Sequence, residues 1–413
     1  MIKFAFMKTI SFWLKFSILN LFLVSFLGVL MRYKIAFSFP ILDQKHAQEA
    51  HSHFAFYGWV TTVIYAFLLQ YLLKNDPQIK SSKYYYLIIA NVFSAFGMMF
   101  SFLYGGYFWL SILFSTTALL GTFVFLYFFY KDSLSIKDTT KKWFLGGLFF
   151  AFISSIGVFN LAYMNATHSV SQVQYLASLY YYLHFQYNGF FIFCCIGFLL
   201  FSLKEIDVQF SRSTNDLVFW LSFIGCVIGY GLSVLYLDLP EFLFIVIILG
   251  SIAQTIAAYF LLNLVLKNWR SLKINWTPLQ RSIIIFAGFS FLAKILLQLF
   301  SNIPALNQFA FGYRNVVIAY LHLVLLLCIS SFLVGQIYYS GYFKFNKKVV
   351  LSIKIFLLGI FLNELVLGLM GIFSTRYISI PYAAEILVAV SVLIMFSLAM
   401  MWIDLKEDPK NCK

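Results

Sequence analysis

Long apolar runs, separated by short polar breaks, repeat along the whole chain. They fall near residues 10–32, 47–73, 84–104, 107–130, 143–165, 176–203, 217–237, 241–266, 281–301, 313–338, 349–373 and 380–404. A membrane-spanning helix needs roughly 20 mostly apolar residues. The pattern therefore predicts an all-α polytopic membrane bundle of about twelve transmembrane helices. Residues 1–413 read as one integral membrane domain. The connections are short, and neither a low-complexity tract nor an internal repeat stands out. The first run, Ile10 to about Leu30, follows Lys3 and Lys8. It is too long for a typical signal core and has no small-residue cleavage site, so it is expected to remain as the first helix.

Composition supports this reading. The chain is 62% hydrophobic and 11% charged, against about a quarter charged residues in soluble domains. The net charge of +14 is topological. Lys74, Lys80 and Lys83 follow span two. Lys131, Lys137, Lys141 and Lys142 follow span four. Lys204 and Arg212 follow span six, and Lys267, Arg270, Lys273 and Arg281 follow span eight. Lys344, Lys347 and Lys348 follow span ten, and Lys406, Lys410 and Lys413 close the chain. The alternate loops carry only Arg32, Lys34, Lys45, Arg314 and Arg376. The positive-inside rule then puts both termini in the cytoplasm. The expected setting is the inner (plasma) membrane, with the lipid bilayer as partner and no nucleic acid. Of five cysteines, Cys194, Cys195, Cys226 and Cys328 lie inside spans, while Cys412 lies beyond the last. Their spacing suits helix packing better than zinc or disulfide chemistry.

Three histidines raise a chemical possibility. His53 lies early in span two, His184 in span six and His322 in span ten. With the expected topology, all three run inward from the outer face and lie at similar depths, roughly 12–14 Å at 1.5 Å per residue. Histidine is costly in a bilayer unless partnered, and neutral imidazole is a good ligand for iron, copper or zinc. His51 and His53, two apart, point to nearly opposite sides of a helix, whereas His46 and His53 share a face. Their structural alternative is a polar, interfacial helix end. For His184 the alternative is a hydrogen bond with Gln186 or Asn188 of a neighbour. Arg314 suits either a heme propionate or an interfacial anchor. Gln254, Lys294, Gln298, Glu364 and Glu385 are further polar residues within spans. Lys294 and Glu364 are candidates for a proton path or a structural ion pair.

The twelve spans, with histidines in spans two, six and ten, resemble the catalytic subunit I of the heme-copper oxidase and nitric oxide reductase superfamily. The resemblance implies that His51 or His53 is one ligand of a low-spin heme. His322 matches the second histidine of the family's His-x-His pair and would complete that heme. Tyr320 occupies the position of the first, the high-spin heme ligand, and His184 matches a copper ligand. The stretch Ala50-His51-Ser52-His53-Phe54-Ala55-Phe56-Tyr57-Gly58 also resembles a histidine segment of nitric oxide reductases, found elsewhere in their chain. Span seven, about Leu217–Leu237, departs from the family because it contains no histidine. The implied protein is a divergent relative that keeps a heme b and lacks a copper centre. It would serve electron transfer or heme and gas handling, with a redox partner or accessory subunit, rather than complete oxygen reduction. Other readings are a transporter using the buried Lys and Glu residues, a nitrosative-stress-type heme or metal membrane protein, and an accessory subunit with structural histidines.

Overall fold

Backbone polar groups in lipid have no water to bond, so a long apolar run satisfies them by coiling into a helix. The computed structural model describes the backbone of residues 2–237, 239–307 and 313–408, and side chains from residue 9 onward. It contains twelve helices long and apolar enough to cross a membrane. They are α1 (Ile2–Phe37), α2 (Gln44–Asn75), α3 (Ser82–Gly105), α4 (Trp109–Ser133), α5 (Lys141–Ala166) and α6 (Gln172–Lys204). Then come α7 (Arg212–Val234), α8 (Glu241–Lys267), α9 (Pro278–Phe300), α10 (Arg314–Tyr339), α11 (Lys347–Ser374) and α12 (Ala383–Asp404). This is the all-α polytopic bundle expected from the apolar pattern.

Local chemistry sets several helix starts. Asp43 accepts the His46 amide at 2.9 Å before α2. Thr277 and Gln280 close a reciprocal capping box at α9, with Pro278 at its first position. Asn346 accepts the Val349 amide at 2.9 Å before α11. Each side chain satisfies an amide that the first helical turn leaves unpaired.

The chain forms two compact units: residues 1–132 with 333–413, and residues 133–332. In the first unit, α1 packs against α2 and α12, α2 against α3, and α11 against α12. Two short strands, β1 (Phe343–Lys344) and β2 (Lys406–Glu407), pair antiparallel, with Phe343 opposite Glu407. In the second unit, α5 packs against α6, α7 against α8, α8 against α9, and α9 against α10. Trp143 Nε1 donates to Asn215 Oδ1 at 2.9 Å, tying α5 to α7.

Three helices share an unusual interior. Each of α2, α6 and α10 is α-helical up to a histidine, then widens into π-helix, then returns to α-helix. The π segments are Phe54–Thr61, Phe185–Phe191 and Leu323–Ser330, directly after His53, His184 and His322. The three π segments thus recur at intervals of four spans, in spans two, six and ten. The first two copies also share sequence. His53-Phe54-Ala55-Phe56-Tyr57-Gly58-Trp59 and His184-Phe185-Gln186-Tyr187-Asn188-Gly189-Phe190 have the same His, Phe and Gly, with aromatics at the fourth and seventh places. Degenerate identity over seven residues, absent from the third copy except for its histidine, hides the repeat from an inspection of hydropathy.

A π turn shifts carbonyls out of the α-helical ladder, and in a membrane they need other donors. The Tyr57 carbonyl receives Thr62 Oγ1 at 2.9 Å and Asn91 Nδ2 at 2.9 Å. The Gly58 carbonyl receives Asn20 Nδ2 at 2.6 Å. In α10, Ser330 Oγ donates to the Leu325 carbonyl, again five residues back, at 2.8 Å. Gly58 is required by packing: a Cβ there would lie 2.8 Å from the Phe54 ring.

Candidate functional site

The α2 histidines separate as their two-residue spacing requires. His51 turns toward α1, where its Nδ1 lies 3.0 Å from the Val24 carbonyl. Gly28, one turn further, faces the ring, and a Cβ there would lie 3.5 Å from His51 Cε1. His53 turns toward α3. Its ring stacks on Phe102 with centroids 4.4 Å apart, and its Nδ1 lies 2.8 Å from the Glu49 carbonyl. A carbonyl only accepts, so Nδ1 carries the proton in both rings and Nε2 carries the lone pair. The His53 lone pair faces the Tyr107 hydroxyl at 3.3 Å. Outside the span, the His46 amide bond holds the Asp43 carboxyl below its ordinary range.

His184 has the opposite tautomer. It is 1% exposed. Its Nε2 donates to the Cys226 carbonyl of α7 at 2.8 Å, and its Nδ1 accepts from Asn188 Nδ2 at 3.1 Å. Both nitrogens are occupied, and the Cys226 thiol lies 3.9 Å from Nε2. Asn188, one of the two partners anticipated from the sequence, comes from the histidine's own helix.

In α10, Arg314 is the first helical residue and is exposed. Tyr320 and His322 are half-buried. Tyr320 meets the edge of Tyr187 of α6, with centroids 6.5 Å apart. His322 Nδ1 lies 2.8 Å from the Ile318 carbonyl, so His322 has the same tautomer as His53. His51, His53 and His322 are thus anchored through Nδ1 and His184 through Nε2, and in both His53 and His184 the second nitrogen also meets a hydrogen-bond donor. Among the described residues, no three His, Cys, Asp or Glu side chains gather to hold a metal ion.

Lys294 of α9 is 2% exposed. It lies within electrostatic reach of His184, Cys226 and Cys328. Gln298, one turn on, and Asn302, two turns on, have buried amide oxygens without a hydrogen-bond partner. Gln254 Nε2 donates to the Gly225 carbonyl at 2.5 Å. Glu364 belongs to the other unit and has a buried, unpartnered Oε2. The described ion pairs are Lys83–Asp132, Lys142–Asp216 and Lys204–Asp138, and none includes Lys294 or Glu364. Glu385 is exposed in the first turn of α12, where a carboxylate favours the helix dipole.

Twelve spanning helices with histidines at π-helical junctions define a polytopic helical membrane protein with its polar chemistry placed inside the spans. No family model and no curated protein matches the chain. What the sequence reading missed is the histidine–π junction itself. Its available signal was the repeated His-Phe-x-aromatic-x-Gly-aromatic stretch of α2 and α6.

Proposed function

We propose that the chain is a divergent relative of heme-copper oxidase subunit I that binds a low-spin heme b and has no copper centre. One observation carries the reading. The Nδ1 of His53 and of His322 each donates to the carbonyl four residues back, at 2.8 Å. Metal-ligating histidines commonly anchor one ring nitrogen this way, which fixes the ring and directs the other nitrogen to the metal. His51, anchored on Val24, fits the same requirement and is the alternative α2 ligand. Ligation by His53 requires the Tyr107 hydroxyl to give up its bond to Nε2. Ligation of copper by His184 would likewise require Asn188 to give up its bond to Nδ1. With no histidine in α7 and Tyr320 in place of a high-spin ligand, the chain lacks ligands that oxygen reduction by the family's mechanism would use.

When bound, heme supplies one-electron chemistry, and its axial ligands tune its potential. The histidines orient and hold the group. Arg314, at the start of α10, supplies a guanidinium suited to a propionate. The expected setting is the inner (plasma) membrane, with a redox partner or accessory subunit.

The test is a reduced-minus-oxidised absorption spectrum of purified protein and variants. A sharp heme band is expected, lost in His322→Ala and retained in His184→Ala. Its loss in only one of His51→Ala and His53→Ala identifies the α2 ligand. Absence of the band from wild type, or its survival in His322→Ala, ends the heme reading. Lys294, buried and in no ion pair among the described residues, favours a second reading as a transporter. Solute or proton uptake by proteoliposomes that disappears in Lys294→Met, from protein without a heme band, would support that reading.

A further inference from the structure

The second unit carries an apolar groove with a volume of about 560 Å³. It is walled by α6, α8, α9 and α10. Cys195, Leu262, Gly288, Phe291 and Cys328 line it, as does Trp269, just beyond α8. The size falls within the roughly 300–1,000 Å³ of small-molecule and cofactor sites. Its rim is openly apolar: Leu266 is 60% exposed and Phe289 72% exposed. A Cβ built at Gly288 would meet nothing within 4 Å, so a larger side chain there enters open space.

Charge identifies the occupant. Ile284, Ile285 and Gly288 lie on the α9 face that also carries Arg281, one turn nearer the helix start. Trp269 opens a short helix, Trp269–Asn275, that carries Arg270 and Lys273. The Arg281 guanidinium donates to the Lys273 carbonyl at 2.8 Å, joining the α9 start to this helix. From Leu266 to Arg281 there are four basic residues and no acidic one. The basic ends after α4 and α6 differ, because their lysines meet carboxylates in Lys142–Asp216 and Lys204–Asp138. Among the described residues, Lys267, Arg270, Lys273 and Arg281 make no ion pair with a carboxylate.

We propose that this groove is a binding site for an anionic phospholipid. One acyl chain lies along the apolar wall toward Cys195 and Cys328, and the phosphate meets Arg270, Lys273 and Arg281. Basic pockets between membrane helices on the cytoplasmic side recognise acidic headgroups in this manner. A neutral lipid or isoprenoid would use the wall but not the four cations. The proposal is independent of the heme reading.

Trp269 supplies the probe. Full-length protein is reconstituted in vesicles containing phosphatidylglycerol or phosphatidylcholine with brominated acyl chains. The Trp269 signal is isolated by difference from Trp269→Phe. Brominated phosphatidylglycerol is expected to quench it at several-fold lower mole fraction than brominated phosphatidylcholine. The Arg270→Gln/Lys273→Gln variant should lose that preference, and Lys137→Gln should keep it. Gly288→Phe should weaken quenching by both lipids, with its helical circular dichroism spectrum compared with wild type. Neither charge variant alters apolar packing, so the proposal stays testable if Gly288→Phe misfolds. Equal quenching by the two lipids would mean ordinary boundary lipid and overturn the site. Preference retained in Arg270→Gln/Lys273→Gln, or lost equally in Lys137→Gln, would overturn it too. Preferential co-purification of a neutral isoprenoid, lost in Gly288→Phe, would assign the groove to a different occupant.

Discussion

Asn188 donates its amide to His184 Nδ1 at 3.1 Å from one turn further along α6. His184 Nε2 donates to the Cys226 carbonyl, so this contact engages the lone pair on the other ring nitrogen. His51, His53 and His322 are anchored through Nδ1 instead. The anchoring nitrogen, Nε2 in His184 and Nδ1 in His51, His53 and His322, thus distinguishes His184 from the candidate ligands.

Replacing Asn188 with Ala should strand the buried His184 Nδ1. A buried acceptor without a partner costs about 1–3 kcal/mol. Thermal unfolding in detergent should show the loss. An unchanged midpoint would mean that the pair adds no stability. Any heme band present in wild type should persist in this variant, since His184 is not among the proposed ligands.

The π carbonyls of α2 differ in their insurance. Gly58 O is served by Asn20, whereas Tyr57 O is served by both Thr62 and Asn91. Asn20→Leu should therefore cost about 1–3 kcal/mol, the penalty of an orphaned buried group. Asn91→Leu should cost less, because Thr62 continues to donate. The opposite ranking in thermal unfolding would refute this account of the π segment.

Asp138, between α4 and α5, accepts from Lys204 Nζ at 2.8 Å and from the Thr140 hydroxyl. Burial pushes its carboxyl up, but the bonds from Lys204 and Thr140 outweigh that effect and hold it below the ordinary carboxylate range. A depressed folded-state value stabilises the protein above the unfolded value, near pH 4. That contribution disappears as pH falls through the folded value. Asp138→Asn should thus be less stable than wild type at neutral pH, and the gap should close under acid conditions below about pH 4. A gap independent of pH would exclude the carboxylate's charge as its source.

Topology is open to reporter fusions. Fusions after Lys142 and Lys273 should read as cytoplasmic, and fusions near His168 and Pro304 as external, following the basic-loop bias. The reversed pattern would invert the expected depth of all three histidines and move the basic end of the groove to the outer leaflet.

Much of the architecture was legible because its causes are local. Each run of about 20 apolar residues must coil in lipid, whatever its neighbours. Caps such as Asp43, Thr277 and Asn346 act on their own first turns. Even the opposite directions of His51 and His53 follow from helical geometry over two residues. The repeated motif of α2 and α6 was also present in the letters, but apolar composition masked it.

The partners of the histidines were a different kind of question. His51 bonds a carbonyl of Val24 and His184 a carbonyl of Cys226, and every residue type offers an identical carbonyl. No sequence pattern marks which one a neighbouring helix will bring near. Likewise, α-helix and π-helix use the same residues, and the wider turn persists in α2 where Asn20 and Asn91 from other helices supply its carbonyls. The sequence by itself determined twelve spanning helices, their basic ends and the presence of imidazoles within them. Tertiary structure decided the tautomer and anchoring nitrogen of His51 and His184, because those depend on backbone atoms delivered by packing rather than on residue identity.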